Sequence, residues 1–185
     1  MKVQVLVSAV NKDPHQLAES MHLATDAVII NQTDRESEET FSFAEGRVQC
    51  FCFAERGVGR SRNHALSRAT GEICLFADED IVYDEGYGEK ILAAFAAQPD
   101  ADLITFNFRV DPSRATYENK EKKRVRWDNY GRYPTFAVAA RTEKLKRAGV
   151  KFSLLFGGGA KYSNGEDSLF LHDCLKKGLR IYTCT

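Results

Sequence analysis

Short apolar runs, the first of them rich in β-branched residues, recur along the first 108 positions: VQVLV (3–7), AVIIN (27–31), VQCFCF (48–53), EICLFA (72–77) and DLITFNF (102–108). Helical patterns separate most of them. In the segment after the first run, Asp13 suits an N-cap, Pro14 the first helical position and Gln16 the partner place of a capping box, while Leu17, Met21 and Ala24 share one face. The stretch ERGVGRSRNHALSRATG (55–71) turns on two glycines into a helix burying Val58, Ala65, Leu66 and Ala69, which Gly71 stops. A third helix from Gly86 to Ala97 presents Tyr87, Ile91, Leu92 and Phe95. Strands alternating with amphipathic helices constrain the fold to an α/β domain whose central, mostly parallel sheet is flanked by helices.

Beyond residue 108 the rhythm loosens. The acidic RESEET (35–40) reads as a surface loop, and 109–132 is polar, without a clear period, and contains the basic run KEKKRVR. YPTFAVAAR then reads as a strand, TEKLKRAG as a helix, GEDSLFLHDCLKKG (165–178) as a capped helix and RIYT as a last strand. The 185 residues suffice for one domain with a proper core and would be cramped for two. Lys plus Arg and Asp plus Glu are 26 each, so no global field points to nucleic acid or to an anionic membrane. The odd set of five cysteines has no metal-ligand spacing and reads as buried free thiols of a reducing compartment. The N-terminal apolar run is too short for a signal peptide, and no 18-residue apolar run offers a transmembrane segment. A cytoplasmic, soluble protein is the expectation.

In parallel α/β sheets ligands sit beyond the carboxyl ends of the strands, where NQTD (31–34), ERGVGRSRN (55–63) and ADED (77–80) all fall. The crowded acids Asp78, Glu79 and Asp80 admit two readings: a solvated turn, or a site for a cation. With strand geometry continued, Asp78 and Asp80 point the same way and suit an oxygen-seeking Mg2+ or Mn2+ bridging to phosphate. Arg60, Arg62 and Asn63 at a helix start suit phosphate, or are exposed residues of an ordinary helix. The triple glycine Gly157 to Gly159 marks a loop that bends or meets a ligand. Glu166 and Asp167 either favour a helix dipole or supply a general base.

Taken in order, strand–NQTD, RGVGRSRNHAL..ATGE, strand–ADED and NGEDSLFLHDCLKKGLRIYT resemble the family 2 glycosyltransferases with the A-type (nucleotide-diphospho-sugar transferase) fold, over Val3 to Thr183. There a motif R-x-x-G-x-x-x-x-A-x-G-E leads into an acidic D-x-D motif, and a Glu-Asp pair later opens a helix. The resemblance implies an inverting transfer of a sugar from a nucleotide-diphosphate sugar, a UDP-sugar above all, to a hydroxyl of a glycan or lipid-linked acceptor in glycan or polysaccharide synthesis. It places Asn11, Asp34, Arg60, Arg62, Asn63 and Asp78 around the nucleotide, Asp78 and Asp80 on Mn2+ or Mg2+, and Asp167, with Glu166 the lesser candidate, as the base. Residues 1–108 would form the donor half and 109–185 the acceptor half of a single domain. Departures are the SAVN that keeps only Asn11 of P-x-Y-N, the NQTD in place of Asp-Asp or Asp-Gly-Ser, and the end at Thr185, where relatives usually continue. A minimal enzyme and a fragment both stand. The rival functions are a nucleotide-sugar-binding module without transfer and a nucleotidyltransferase, against which stands the lack of a lysine-bearing glycine-rich loop near the first strand of this chain.

Overall fold

The computed structural model describes residues 1–110 and 118–185; part of the polar segment after residue 108 therefore lies outside the described residues. Its strands are β1 (Val3–Val10), β2 (Asp26–Gln32), β3 (Ser37–Phe43), β4 (Gly46–Phe53), β5 (Ile73–Asp78), β6 (Leu103–Thr105), β7 (Arg124–Val125), β8 (Val138–Arg141) and β9 (Ile181–Thr183). They join in one sheet of order β3-β4-β2-β1-β5-β8-β6-β9-β7. The helices are α1 (Pro14–Ser20), α2 (Val58–Arg68), α3 (Tyr87–Ala97), α4 (Thr142–Ala148) and α5 (Glu166–Lys176).

Side-chain alternation along β1 sets the layers. Val5, Val7 and Ala9 pack with Leu17 and Ala18 of α1 and with Tyr87, Ile91 and Phe95 of α3. Leu6 faces the other way, into a cluster with Ala65 and Leu66 of α2, Leu145 of α4 and Phe170 and Leu171 of α5. Helices on both faces leave the central strands little wet side, which is why they read as mostly apolar runs. The second cluster is keyed by rings: Phe152 stacks on Phe170 at 4.0 Å, and Phe76 meets both edge-on. Burying a ring of this kind contributes about 1.5–3 kcal/mol.

The α/β class and helix positions follow the sequence reading, and Asp13 caps α1 by accepting from the Gln16 N–H at 2.9 Å. Three details differ. The parallel order holds for β4-β2-β1-β5, whereas β8 runs antiparallel to β5 and β6, so the far half is mixed. The acidic stretch, expected as a loop, runs into β3, an edge strand that is antiparallel to β4 and mostly exposed; pairing, not apolar pattern, makes it a strand. The run 102–108 holds only three paired residues, β6. All five cysteines are free, and burial pushes the Cys50 thiol up to about 12 and the Cys74 thiol up to about 11.

Candidate active site

The carboxyl ends of β1, β2, β4 and β5 lie on one edge, and Arg62, in the second turn of α2, is buried there. Its guanidinium is 3% exposed and gathers three acids: Asp78 Oδ1 at 3.0 Å from Nη2, Asp167 Oδ1 at 2.9 Å from Nη1, and Glu166 Oε1 at 3.8 Å from Nη1. The guanidinium also lies 5.4 Å from the centre of the Phe152 ring. Residues distant in sequence thus meet: the end of β5, the second turn of α2 and the start of α5. Burial pushes the Asp78 carboxyl up, opposed by Arg62, and burial likewise pushes Glu166 up. Arg62 Nε and Tyr83 Oη are buried without a hydrogen-bond partner among the described residues.

The acid triplet resolves into three roles. β5 stops at Asp78 and the chain turns, with the Ile81 N–H bonded to the Asp78 carbonyl, so the expected continued strand geometry does not hold. Asp78 is held by Arg62. Glu79 accepts from the Val10 N–H at 2.7 Å and pairs with Lys12 at 3.2 Å, closing the end of β1. Asp80 is exposed and makes no hydrogen bond or ion pair among the described residues. Asp78 and Asp80 nevertheless line one groove, together with Tyr83, Phe106, Phe108 and Phe136.

The remaining sequence-derived residues divide. Arg62, expected at the nucleotide, pairs with carboxylates of the chain. Asn63 is committed to the backbone: its amide donates to the Phe152 carbonyl and accepts from the Phe152 N–H, at 2.9 and 2.8 Å. Arg60 reaches Glu55 at 3.9 Å and lines a separate groove with Lys146 and Leu154. Asp34 and Asn11 are exposed at the ends of β2 and β1, and Asn11 has a left-handed φ of 52°. Asn31 and Gln32, before Asp34, are structural: Asn31 bonds both ways to the Lys12 backbone, and Gln32 to that of Gly57.

The triple glycine bends back onto the start of α2. The Gly158 carbonyl accepts from the Val58 N–H at 2.9 Å, so this helix terminus, read as an anion site, meets a carbonyl of its own chain. Gly165, with φ of 103°, turns the chain into α5 in a conformation that an L side chain rarely adopts. Sequence reasoning missed Thr135. It is completely buried in a single 3-10 turn before β8, and its Oγ1 donates to Asp167 Oδ1 at 2.5 Å. A lone threonine in YPTFAV carries no signal that could have marked it.

A sheet of this order, with acids at the end of β5 and a carboxylate at the start of a later helix, defines an A-type glycosyltransferase fold. The chain belongs to glycosyl transferase family 2, whose sequence model matches residues 15–155. Asp167 lies beyond the matched stretch, and geometry brings it to the site. No curated protein matches the chain. Among solved structures, S. aureus TarS 1–349 superposes with a TM-score of 0.67 at 18% identity, over 100% of this chain and 58% of that one. TarS 1–349 in complex with UDP gives 0.67 at 21% identity. The mannosyltransferase PcManGT from Pyrobaculum calidifontis, in complex with GDP-Man and Mn2+, gives 0.59 at 18% identity over 99% of this chain and 54% of its own. At these identities the likeness establishes the fold, and the chain spans about three fifths of the TarS 1–349 structure. Among the described residues no helix is long and apolar enough to cross a membrane.

Proposed function

We propose that the chain transfers a sugar, with inversion, from a nucleotide-diphosphate sugar to an acceptor hydroxyl, in glycan or polysaccharide synthesis. The observation that carries this reading is the convergence of Asp78, Asp167 and Arg62 at the carboxyl edge of the parallel strands. The exposed Asp34 flanks the donor side of that edge.

Asp167 is the base. It takes the proton of the acceptor hydroxyl as that oxygen bonds to the anomeric carbon. The bond from that carbon to the diphosphate oxygen breaks, and its electron pair leaves with the phosphate. Glu166 is less suited, because it is only 15% exposed and its carboxyl packs against Gly157. The leaving diphosphate needs its charge neutralised. Among the described residues no three His, Cys, Asp or Glu side chains converge as a metal cage. The donor set instead offers free Asp80 with Asp78 beside it, which fits Mn2+ or Mg2+, since such ions keep water and phosphate oxygens and need only one or two carboxylates. Asp80 would hold the ion, Asp78 would flank it, and the bound ion would supply charge neutralisation at the diphosphate.

A UDP-sugar is the leading donor, given the UDP and UDP-GlcNAc complexes of TarS, and GDP-mannose is the natural comparison. The acceptor is a glycan or lipid-linked saccharide. The test melts the protein with UDP, GDP, UDP-GlcNAc and GDP-mannose, each with and without Mn2+, and then measures nucleotide release with candidate acceptors. The expected result is a metal-dependent rise in melting temperature with one nucleotide, absent in Asp80→Ala. Asp167→Asn should keep that rise while turnover falls about 10²- to 10⁴-fold. Binding without turnover by the wild type would indicate a nucleotide-sugar-binding module instead.

A further inference from the structure

Among the described residues, Asp167 is gripped by one oxygen. Oδ1 accepts from Arg62 Nη1 at 2.9 Å and from Thr135 Oγ1 at 2.5 Å, while Oδ2 takes no hydrogen bond from them and the side chain stays 30% exposed. Arg62 by itself sets where the carboxylate sits but not how it is turned, because the same guanidinium also faces Asp78 and Glu166. A second donor, arriving from a different element, fixes the rotation of the carboxylate plane. Thr135 is suited to give that second bond. Its side chain is fully buried, Pro134 before it is extended, and the turn it opens leads directly into β8, which is paired on both sides. The hydroxyl has a single proton to donate, and Asp167 receives it.

We infer that Thr135 is a positioning residue: with Arg62 it engages Oδ1 and leaves Oδ2 as the atom that accepts the acceptor's proton. The inference rests on the transfer reading above. It assigns Thr135 no contact with either substrate, so its loss disturbs the geometry of the reacting pair and not the binding of the donor. A misturned base slows the chemical step without weakening the ground-state complex.

The test compares Thr135→Val, which keeps the shape and removes the hydroxyl, with Thr135→Ser, which restores it. The readouts are kcat, donor KM and the Kd of the nucleoside diphosphate with Mn2+, using the nucleotide sugar that turns over in the panel above. Thr135→Val should lower kcat about 10- to 100-fold, with donor KM and nucleotide Kd within about twofold of wild type. Thr135→Ser should recover most of that loss. If Thr135→Val does not fold, Thr135→Ala takes its place in the comparison. Unchanged kcat in the hydroxyl-free variant overturns the role, as does equal loss in the serine variant, or a nucleotide Kd that weakens in step with kcat. A wild type that transfers while Thr135→Val is unimpaired defeats only the role of Thr135. A wild type that binds nucleotide and never turns over defeats the transfer reading and this role together.

Discussion

Arg62, its guanidinium buried, brings one positive charge to the three partly exposed carboxylates of Asp78, Asp167 and Glu166. The cluster therefore holds excess negative charge, and Glu166, the farthest from the guanidinium at 3.8 Å, gains least from it. Burial pushes the Glu166 carboxyl above its ordinary 4.5, with Asp167 and Asp78 adding repulsion and Arg62 opposing. For an acid whose folded pKa is raised, the folded state holds the proton more tightly than the unfolded one. Its contribution to stability is full below pH 4.5 and is lost as pH rises through the raised value. Glu166→Gln should thus melt higher than wild type at neutral pH and lose part of the pH slope above 4.5. Melting curves across that range would check it, and a lower melting temperature for the variant at neutral pH would sink it. The acids were legible in the sequence because they follow a strand or open a helix. The direction of Arg62 was not, since an arginine at a helix start reads equally well toward phosphate and toward carboxylate, and only the fold brings α5 beneath it.

At the scale of elements, α2 is held close to the 152–159 segment by contacts that no apolar pattern records. Asn63 pairs with the Phe152 backbone, and Gly59 lies so near the chain that a Cβ there would sit 2.2 Å from the Ser153 carbonyl oxygen. Gly59 of GVG makes room for the protein's own backbone. Gly59→Ala must push the two segments apart and should cost about 1–3 kcal/mol, with the cost of overpacking setting the scale. That is a fall of about 2–4 °C in melting temperature per kcal/mol for a chain of this size. A melting temperature equal to wild type would show that the segment yields freely. The same blindness hid β3: its SEETFSF is mostly exposed, and a strand held by the ladder to β4 needs no apolar face. Strands buried on both sides, such as β1 and β5, are legible because most of their residues are apolar.

For the whole molecule, the divide expected after residue 108 between a donor half and an acceptor half does not coincide with a break in the sheet. β6 belongs to the first half in sequence, yet it pairs with β8 and β9 of the second, and β8 stands between it and β5. Arg62 repeats that crossing in the site, joining α2 and β5 to α5. Interleaved pairing leaves neither half a closed sheet, so the chain should unfold as one unit. Trp127, the sole tryptophan, lies in the second half against Tyr130 and His172, so its fluorescence reports there while far-UV ellipticity reports everywhere. The two urea transitions should coincide, as they do for a cooperative domain. Arg62→Met leaves partly exposed carboxylates without their counter-charge and should cost about 1–3 kcal/mol, the scale for removing one partner of a hydrogen-bonded group. Because the guanidinium bridges both halves, the two midpoints should fall together in this variant. If the fluorescence midpoint dropped while the ellipticity midpoint stayed, the second half would be melting from a first half that stands without it, and the cooperative picture would be wrong.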